Sequence, residues 1–264
     1  MKSTNALQLA VKAYYDYEDM RIRMGNRMKI KRDGSNQVVP EAQQEGWAMT
    51  ERDRTVFDAV YKNAETQERI LMKYIKDKLK EYLIWTEWLK GIKGVGPLMG
   101  AVIITSYDIE KATTPSKMHQ FTGLNPGMVH GRKAVKKKNG EIEVVVTDEL
   151  VRGDRLTPGY LSPFNKWLRT KMCGVLATSF LRGKSPYAKF YYDEKNRLQN
   201  SDNICQTTGK PWKEEKPIHW HRAAIRKMMK IFLQDLYDAW RRLLGLPVRE
   251  PYAEEYLGKK HHAA

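Results

Sequence analysis

Apolar residues recur at helical spacing along most of this chain. Residues 3–28 read as a first helix, with Leu7, Val11, Tyr14 and Tyr15 near one face and Ser3 or Thr4 as its cap. The polar run 28–46, with Asp33-Gly34 and Pro40, reads as a loop. A second helical pattern starts near Thr50, where Asp53 three residues on completes a variant capping box. It extends to about Lys90: Leu71, Ile75, Leu79 and Leu83 repeat every fourth residue, and Phe57, Tyr61 and Ala64 precede them. A helix of about 40 residues is long for a compact domain. The pattern therefore fits one extended arm or two helices broken near Asn63.

Beyond Lys90 the punctuation becomes dense. Gly91-Ile92-Lys93-Gly94-Val95-Gly96-Pro97 separates two apolar helical runs. Thr114 and Pro115 open a short helix, as N-cap and N1, that Gly123 and Asn125-Pro126-Gly127 end. The period then changes from helical to alternating. Lys136–Lys138, Asn139-Gly140 and the strand Ile142, Val144, Val146 signal a β-hairpin. Ser162-Pro163 and Ser185-Pro186 read as further helix starts, the first followed by the stripe Phe164, Trp167, Leu168, Met172, Val175, Leu176. Residues 199–217 read as a loop. A last helix runs from about His219 to Leu244 on Ile225, Met228, Met229, Phe232, Leu236 and Trp240, and Gly245 and Pro247 stop it.

The expected fold is mainly α. It comprises a helix-hairpin-helix core, a long N-terminal helical arm and one inserted β-hairpin. The expected division is 1–90, 91–250 with the insertion at about 131–158, and a tail at 251–264.

Charge adds a partner to this picture. The chain has 47 Lys+Arg against 31 Asp+Glu, a formal net charge of +16. That excess selects polyanions, and DNA is the first expectation because each neutralised phosphate releases counterions. RNA is the secondary one. No apolar run approaches a membrane span, and the two cysteines, Cys173 and Cys205, cannot form a disulfide scaffold. The expectation is a cytoplasmic, nucleoid-associated protein or one encoded by a virus or mobile element, without a membrane partner. The helix at about 50–90 suits a homodimer contact.

The Gly91–Pro97 turn carries the strongest chemical signal. Glycines allow close backbone approach to a phosphate, and the following helix presents its N-terminal amides. Lys90, Lys93, Gly94, Val95 and Gly96 are the expected contacts, with Ile92 and Val95 pinning the turn to the core. No nucleotide-binding G-x-x-x-x-G-K-[ST] motif is present. Arg132, Lys133, Lys136, Lys137 and Lys138 make the second candidate, a basic ribbon that follows a groove or the backbone. Arg169, Arg222 and Arg226 extend the expected DNA-binding set on two helices. Cys205, His219 and His221 have irregular spacing for zinc and no C-x-x-C, so no metal or cofactor is expected. The acidic residues Asp108, Glu110, Asp148, Glu149, Asp193 and Glu194 lack a supporting motif; Mg²⁺ enters only with an enzyme reading.

The stretch GIKGVGPLMGAVIITSYDIEKATTPSKMHQFTGLNPG resembles the C-terminal DNA-binding domain of the DEDD-type, bridge-RNA-guided insertion-sequence transposases. Gly123-Leu124-Asn125-Pro126 matches that family's "GL-x-P" box, and weaker likeness extends over about 55–245. The resemblance implies a transposase-like DNA-binding domain. Two departures bear on catalysis. Residues 1–50 are too short for the family's N-terminal carboxylate-bearing domain, and its nucleophilic serine-glycine pair reads His130-Gly131 here. Ser162 before Pro163 reads as a helix cap instead.

The expectation is therefore a non-catalytic, non-sequence-specific binder of duplex or branched DNA. Two alternatives fit the same residues: a transposase, recombinase or nuclease component whose site a partner completes, and a helical assembly module.

Overall fold

The computed structural model describes residues 5–28, 50–137 and 140–249. The proposed cap at Ser3 or Thr4, the loop over 29–46, Lys138, Asn139 and the tail 251–264 lie outside the described residues. The fold is mainly α with one two-stranded antiparallel hairpin. The chain divides into two compact units, Met1–Tyr82 and Leu83–Ala264, earlier in the chain than the expected boundary at Lys90.

The first unit pairs α1 (Asn5–Arg27) with α2 (Glu51–Leu79). Leu7, Ala10 and Val11 are buried on α1, and Tyr61 and Ala64 on α2. Arg21 Nε donates to Glu68 Oε1 at 2.5 Å, both side chains largely inaccessible. A buried pair of this kind costs about 3–5 kcal/mol when one partner is removed. Thr50 caps α2: its hydroxyl accepts from the Asp53 amide at 3.2 Å.

The long helix is continuous through Asn63 and stops at Leu79, so neither expected form holds. The cause is a change of phase. A fourth-residue repeat continued from Ile75 and Leu79 puts Leu83 inside, yet Leu83 is 56% exposed while Ile84, Trp85 and Leu89 are buried. The chain turns at Lys80–Tyr82, and α3 (Leu83–Glu87) begins the second unit.

The second unit is built on α9 (Pro217–Leu243), which buries Ala224, Ile225, Met228, Met229, Ile231, Phe232, Leu233, Leu236, Tyr237 and Trp240. Around Phe232 stand Trp88 at 5.8 Å, Phe180 at 5.2 Å and Tyr187 at 5.3 Å between ring centroids. Edge and offset contacts of this kind add about 0.5–1.5 kcal/mol each beyond area burial. Buried Arg241 donates to the carbonyls of Ile109 (2.7 Å), Ala112 (3.1 Å) and Pro247 (2.7 Å), locking the loop after α4 to the end of α9.

After a 3-10 turn at Leu89–Gly91 comes α4 (Pro97–Ser106), apolar on every side and buried from Met99 to Ile104. The ring of Trp85 lies where a side chain at Gly100 would stand. Then follow α5 (Pro115–Phe121) and the hairpin β1 (Met128–Lys136) and β2 (Ile142–Arg152). Their register runs from Met128↔Arg152 to Lys136↔Ile142, interrupted between His130 and Arg132. Gly131 sits at the irregularity, beneath Tyr160, where a Cβ would collide with the ring. Next, α6 (Lys166–Thr170), a π turn at Lys171–Leu176 and α7 (Ala177–Arg182) join end to end before α8 (Ala188–Gln199).

Two expected caps differ. Asn165, not Ser162, caps α6, its Oδ1 accepting from Leu168 N at 3.0 Å. Ser162 Oγ instead donates to Phe164 O at 2.7 Å, a local turn that delays the helix. Ser185 does not cap α8 either: its hydroxyl is buried without a hydrogen-bond partner, and the helix starts at Ala188.

Candidate nucleic-acid interface

The glycine turn joins α3 and its 3-10 extension to α4. Val95 N donates to Ile92 O at 3.0 Å, closing a β-turn whose third residue is Gly94 at φ +101°. That backbone region favours glycine. Gly94 also faces inward. A Cβ there would lie 2.7 Å from Phe180 Cδ1, and the Gly94 carbonyl accepts from Ser179 Oγ at 2.8 Å. The glycine that permits close approach to a phosphate is therefore not Gly94. Gly96 fits that part: it is exposed, a Cβ there meets nothing within 4 Å, and it precedes Pro97 at the start of α4. The first-turn amides of Leu98 and Met99 have no intrahelical acceptor. Val95 is buried and anchors the turn, while Lys90, just before it, and Lys93, within it, are exposed.

The basic hairpin divides its charge between two faces. Residues directly opposite in an antiparallel pair share a face. Arg132, Ala134 and Lys136 therefore stand with Val146, Val144 and Ile142. These three apolar side chains are 63%, 53% and 73% exposed, a cationic and apolar ribbon open to solvent. Lys133 lies on the other face, its ammonium 4.5 Å from the Tyr160 ring centroid. Lys137 pairs with Glu143 at 3.3 Å. The expected cluster is thus narrower than its sequence run, with Lys136 as its open cation and Arg132 exposed but bonded through Nη2 to Ser162 O at 3.0 Å.

Arg169 and Arg226, distant in sequence, meet around Asp154, a residue outside every sequence-predicted candidate set. The Asp154 side chain is 2% exposed. Its oxygens accept from Arg152 Nε at 2.9 Å and Nη2 at 3.2 Å, and from Arg226 Nη1 at 3.5 Å. Arg169 Nη1 donates to the Asp154 carbonyl at 2.5 Å. Its carboxylate thus holds two guanidinium groups and its carbonyl a third. Burial and the neighbouring arginines push the Arg226 pKa down. One turn on, burial and Arg226 do the same to the half-buried Lys230. Arg222, a turn earlier on α9, is exposed. The Arg222, Arg226, Lys230 spacing of four was the available sequence signal.

The helix from Asn165 to Phe180 links these features. Asn165 N bonds Phe121 O at 2.9 Å at one end, and Ser179 holds the glycine turn at the other. The separation is about 20 Å at 1.5 Å per residue, or roughly six base-pair steps of 3.4 Å.

His130 and Ser162 line one cleft but make bonds elsewhere. His130 Nδ1 donates to Thr147 O at 3.2 Å, and Ser162 bonds Phe164. His221 Nδ1 bonds the Tyr191 hydroxyl at 2.8 Å, whereas His219 faces Glu215 at 3.7 Å. Cys205 is buried in a turn closed by Gly209 N to Cys205 O at 2.8 Å. No group of three or more potential metal ligands occurs among the described residues. Asp108 pairs with Lys111 and Glu194 with Arg197, both ordinary helix-end or surface pairs. No described helix is long and apolar enough to cross a membrane.

No family model matches the chain, and no curated protein or solved structure matches it either.

Proposed function

We propose that this chain binds the sugar–phosphate backbone of duplex or branched DNA without reading base sequence, as a non-catalytic domain of transposase-like origin. The observation that carries this reading is the division of labour in the turn. Gly94 is committed to the core against Phe180, and Gly96 leaves the start of α4 open, with Lys90 and Lys93 exposed in the preceding segment. Backbone amides at a helix start, with flanking ammonium groups, suit a phosphate and carry no base information. The Arg152, Arg169, Arg226 group supports the reading because one carboxylate leaves it cationic. The open cationic and apolar face of the hairpin suits a groove. The transposase-like origin rests on the sequence likeness over Gly91–Gly127.

A mobility assay on linear, branched and single-stranded DNA, with and without Mg²⁺, tests it. Duplex shifts that weaken steeply with salt and show no cleavage are expected. Absence of any shift at low salt contradicts the reading, and Mg²⁺-dependent cleavage contradicts its non-catalytic part.

A further inference from the structure

A cleft of about 690 Å³ opens between α5, β1 and the segment before α6. Its chemistry is one-sided. Lys117, His130 and Arg132 line it, with no carboxylate among the lining residues. Arg132 Nη2 donates to Ser162 O at 3.0 Å, which holds the guanidinium at the wall, and the Lys117 ammonium has no partner among the described residues. The aromatic lining differs on its two sides. The Phe164 ring is committed: it packs on Gly123 and carries the Arg169 guanidinium 4.8 Å from its centroid. Phe121 is 42% exposed, lines the cleft and meets Tyr107 in a tilted contact at 6.0 Å, so much of its ring is accessible. Asn165 uses its Oδ1 to cap α6, leaving its amide NH₂ as a donor to the cleft.

A ligand that satisfies all of this has a flat π-face for Phe121, acceptors for Asn165 and a strong negative charge for Lys117 and Arg132. We propose that the cleft receives one unpaired nucleotide of a bound DNA strand, its base stacked on Phe121 and its phosphate held by Lys117 and Arg132. The volume suits such a unit, since ligand pockets span about 300–1,000 Å³. Base–aromatic stacking with flanking cations tolerates any base, as single-strand recognition requires. The inference rests on the DNA-binding reading above and adds a preference for unpaired ends or bulges.

The test compares four fluorescent probes on the full chain: a blunt duplex, the same duplex with a one-nucleotide bulge, a single-stranded pentanucleotide, and a mononucleotide. The bulged duplex is expected to bind on the order of 10-fold more tightly than the blunt one, the loss of one stack being of that size. Phe121→Leu and Lys117→Ala are expected to abolish that difference while leaving blunt-duplex affinity unchanged. A 2-aminopurine at the bulge should change its emission on binding wild type and not on binding Phe121→Leu. Equal affinity for bulged and blunt duplexes overturns the nucleotide cleft and leaves the backbone reading standing. Binding of the pentanucleotide but neither duplex keeps the cleft and overturns the duplex reading. Mononucleotide binding without a bulge preference assigns the cleft to a free nucleotide and overturns the proposal.

Discussion

Arg226 of α9 reaches Asp154, just past the hairpin, at 3.5 Å, and the carboxylate it meets is already held by Nε and Nη2 of Arg152. The pairing joins two elements that the sequence keeps far apart. It also leaves the site short of negative charge, because Arg169 binds the carbonyl of the same residue.

Replacing Asp154 by Asn should therefore destabilise the fold by about 1–3 kcal/mol, the cost of leaving half-buried guanidinium donors without their charged acceptor. Sulfate should raise the Tm of Asp154→Asn more than that of wild type, relative to chloride at matched ionic strength, since the anion replaces the missing charge beyond its general stabilising effect. Thermal melts in both salts check this. An unchanged Tm in Asp154→Asn contradicts the shared-carboxylate account.

The two turn glycines should separate cleanly. Gly94→Ala forces a side chain into a positive-φ residue and against Phe180. Strain and overpacking together cost about 2–4 kcal/mol. Gly96→Ala enters open space and should cost less than about 1 kcal/mol. Urea denaturation of the two variants measures the difference. A combined substitution at both glycines confounds folding with binding, so Gly96 alone is the informative position.

Acid should weaken the second unit through His119. Burial, then the nearby Lys230 ammonium, lower its pKa to about 4 from the ordinary 6.5. Burial therefore keeps the folded ring neutral, although its hydrogen bond to the Lys230 carbonyl at 3.0 Å works the other way. The unfolded chain takes up the proton first. Stability is complete above about pH 6.5 and is lost as pH falls towards 4, by at most about 3 kcal/mol. His119→Gln should remove this part of the pH dependence. A wild-type Tm that stays level from pH 7 to 4.5 contradicts it.

Much of the architecture was legible because it is local. The Thr50 cap, Pro115 at the start of α5, the hairpin and the stripe of α9 all follow from residues within a few positions of one another. The end of α2 at Leu79 was not, since only packing decides whether Leu83 or Ile84 turns inward. Nor were the roles of Ser162, whose hydroxyl bonds the Phe164 carbonyl, and Ser185, whose buried hydroxyl has no hydrogen-bond partner. At the site, Lys90, Lys93 and Gly96 could be nominated from the motif. The commitment of Gly94 to Phe180 depends on a helix more than eighty residues away. The same long range hid Asp154, Lys117 and Phe121.

The central claim is that the turn ending at Gly96 grips a phosphate. It is tested most directly by titrating a blunt duplex against wild type and Gly96→Glu over a range of salt concentrations. Glu at this position has room and lies at a helix start, where negative charge is compatible with the helix. Wild type should show a log–log slope of about −4 to −5, corresponding to five or so phosphate contacts. Gly96→Glu should retain its Tm, lose at least about 10-fold in affinity at low salt and show a shallower slope. Undiminished, equally salt-dependent binding by a folded Gly96→Glu variant would contradict the account.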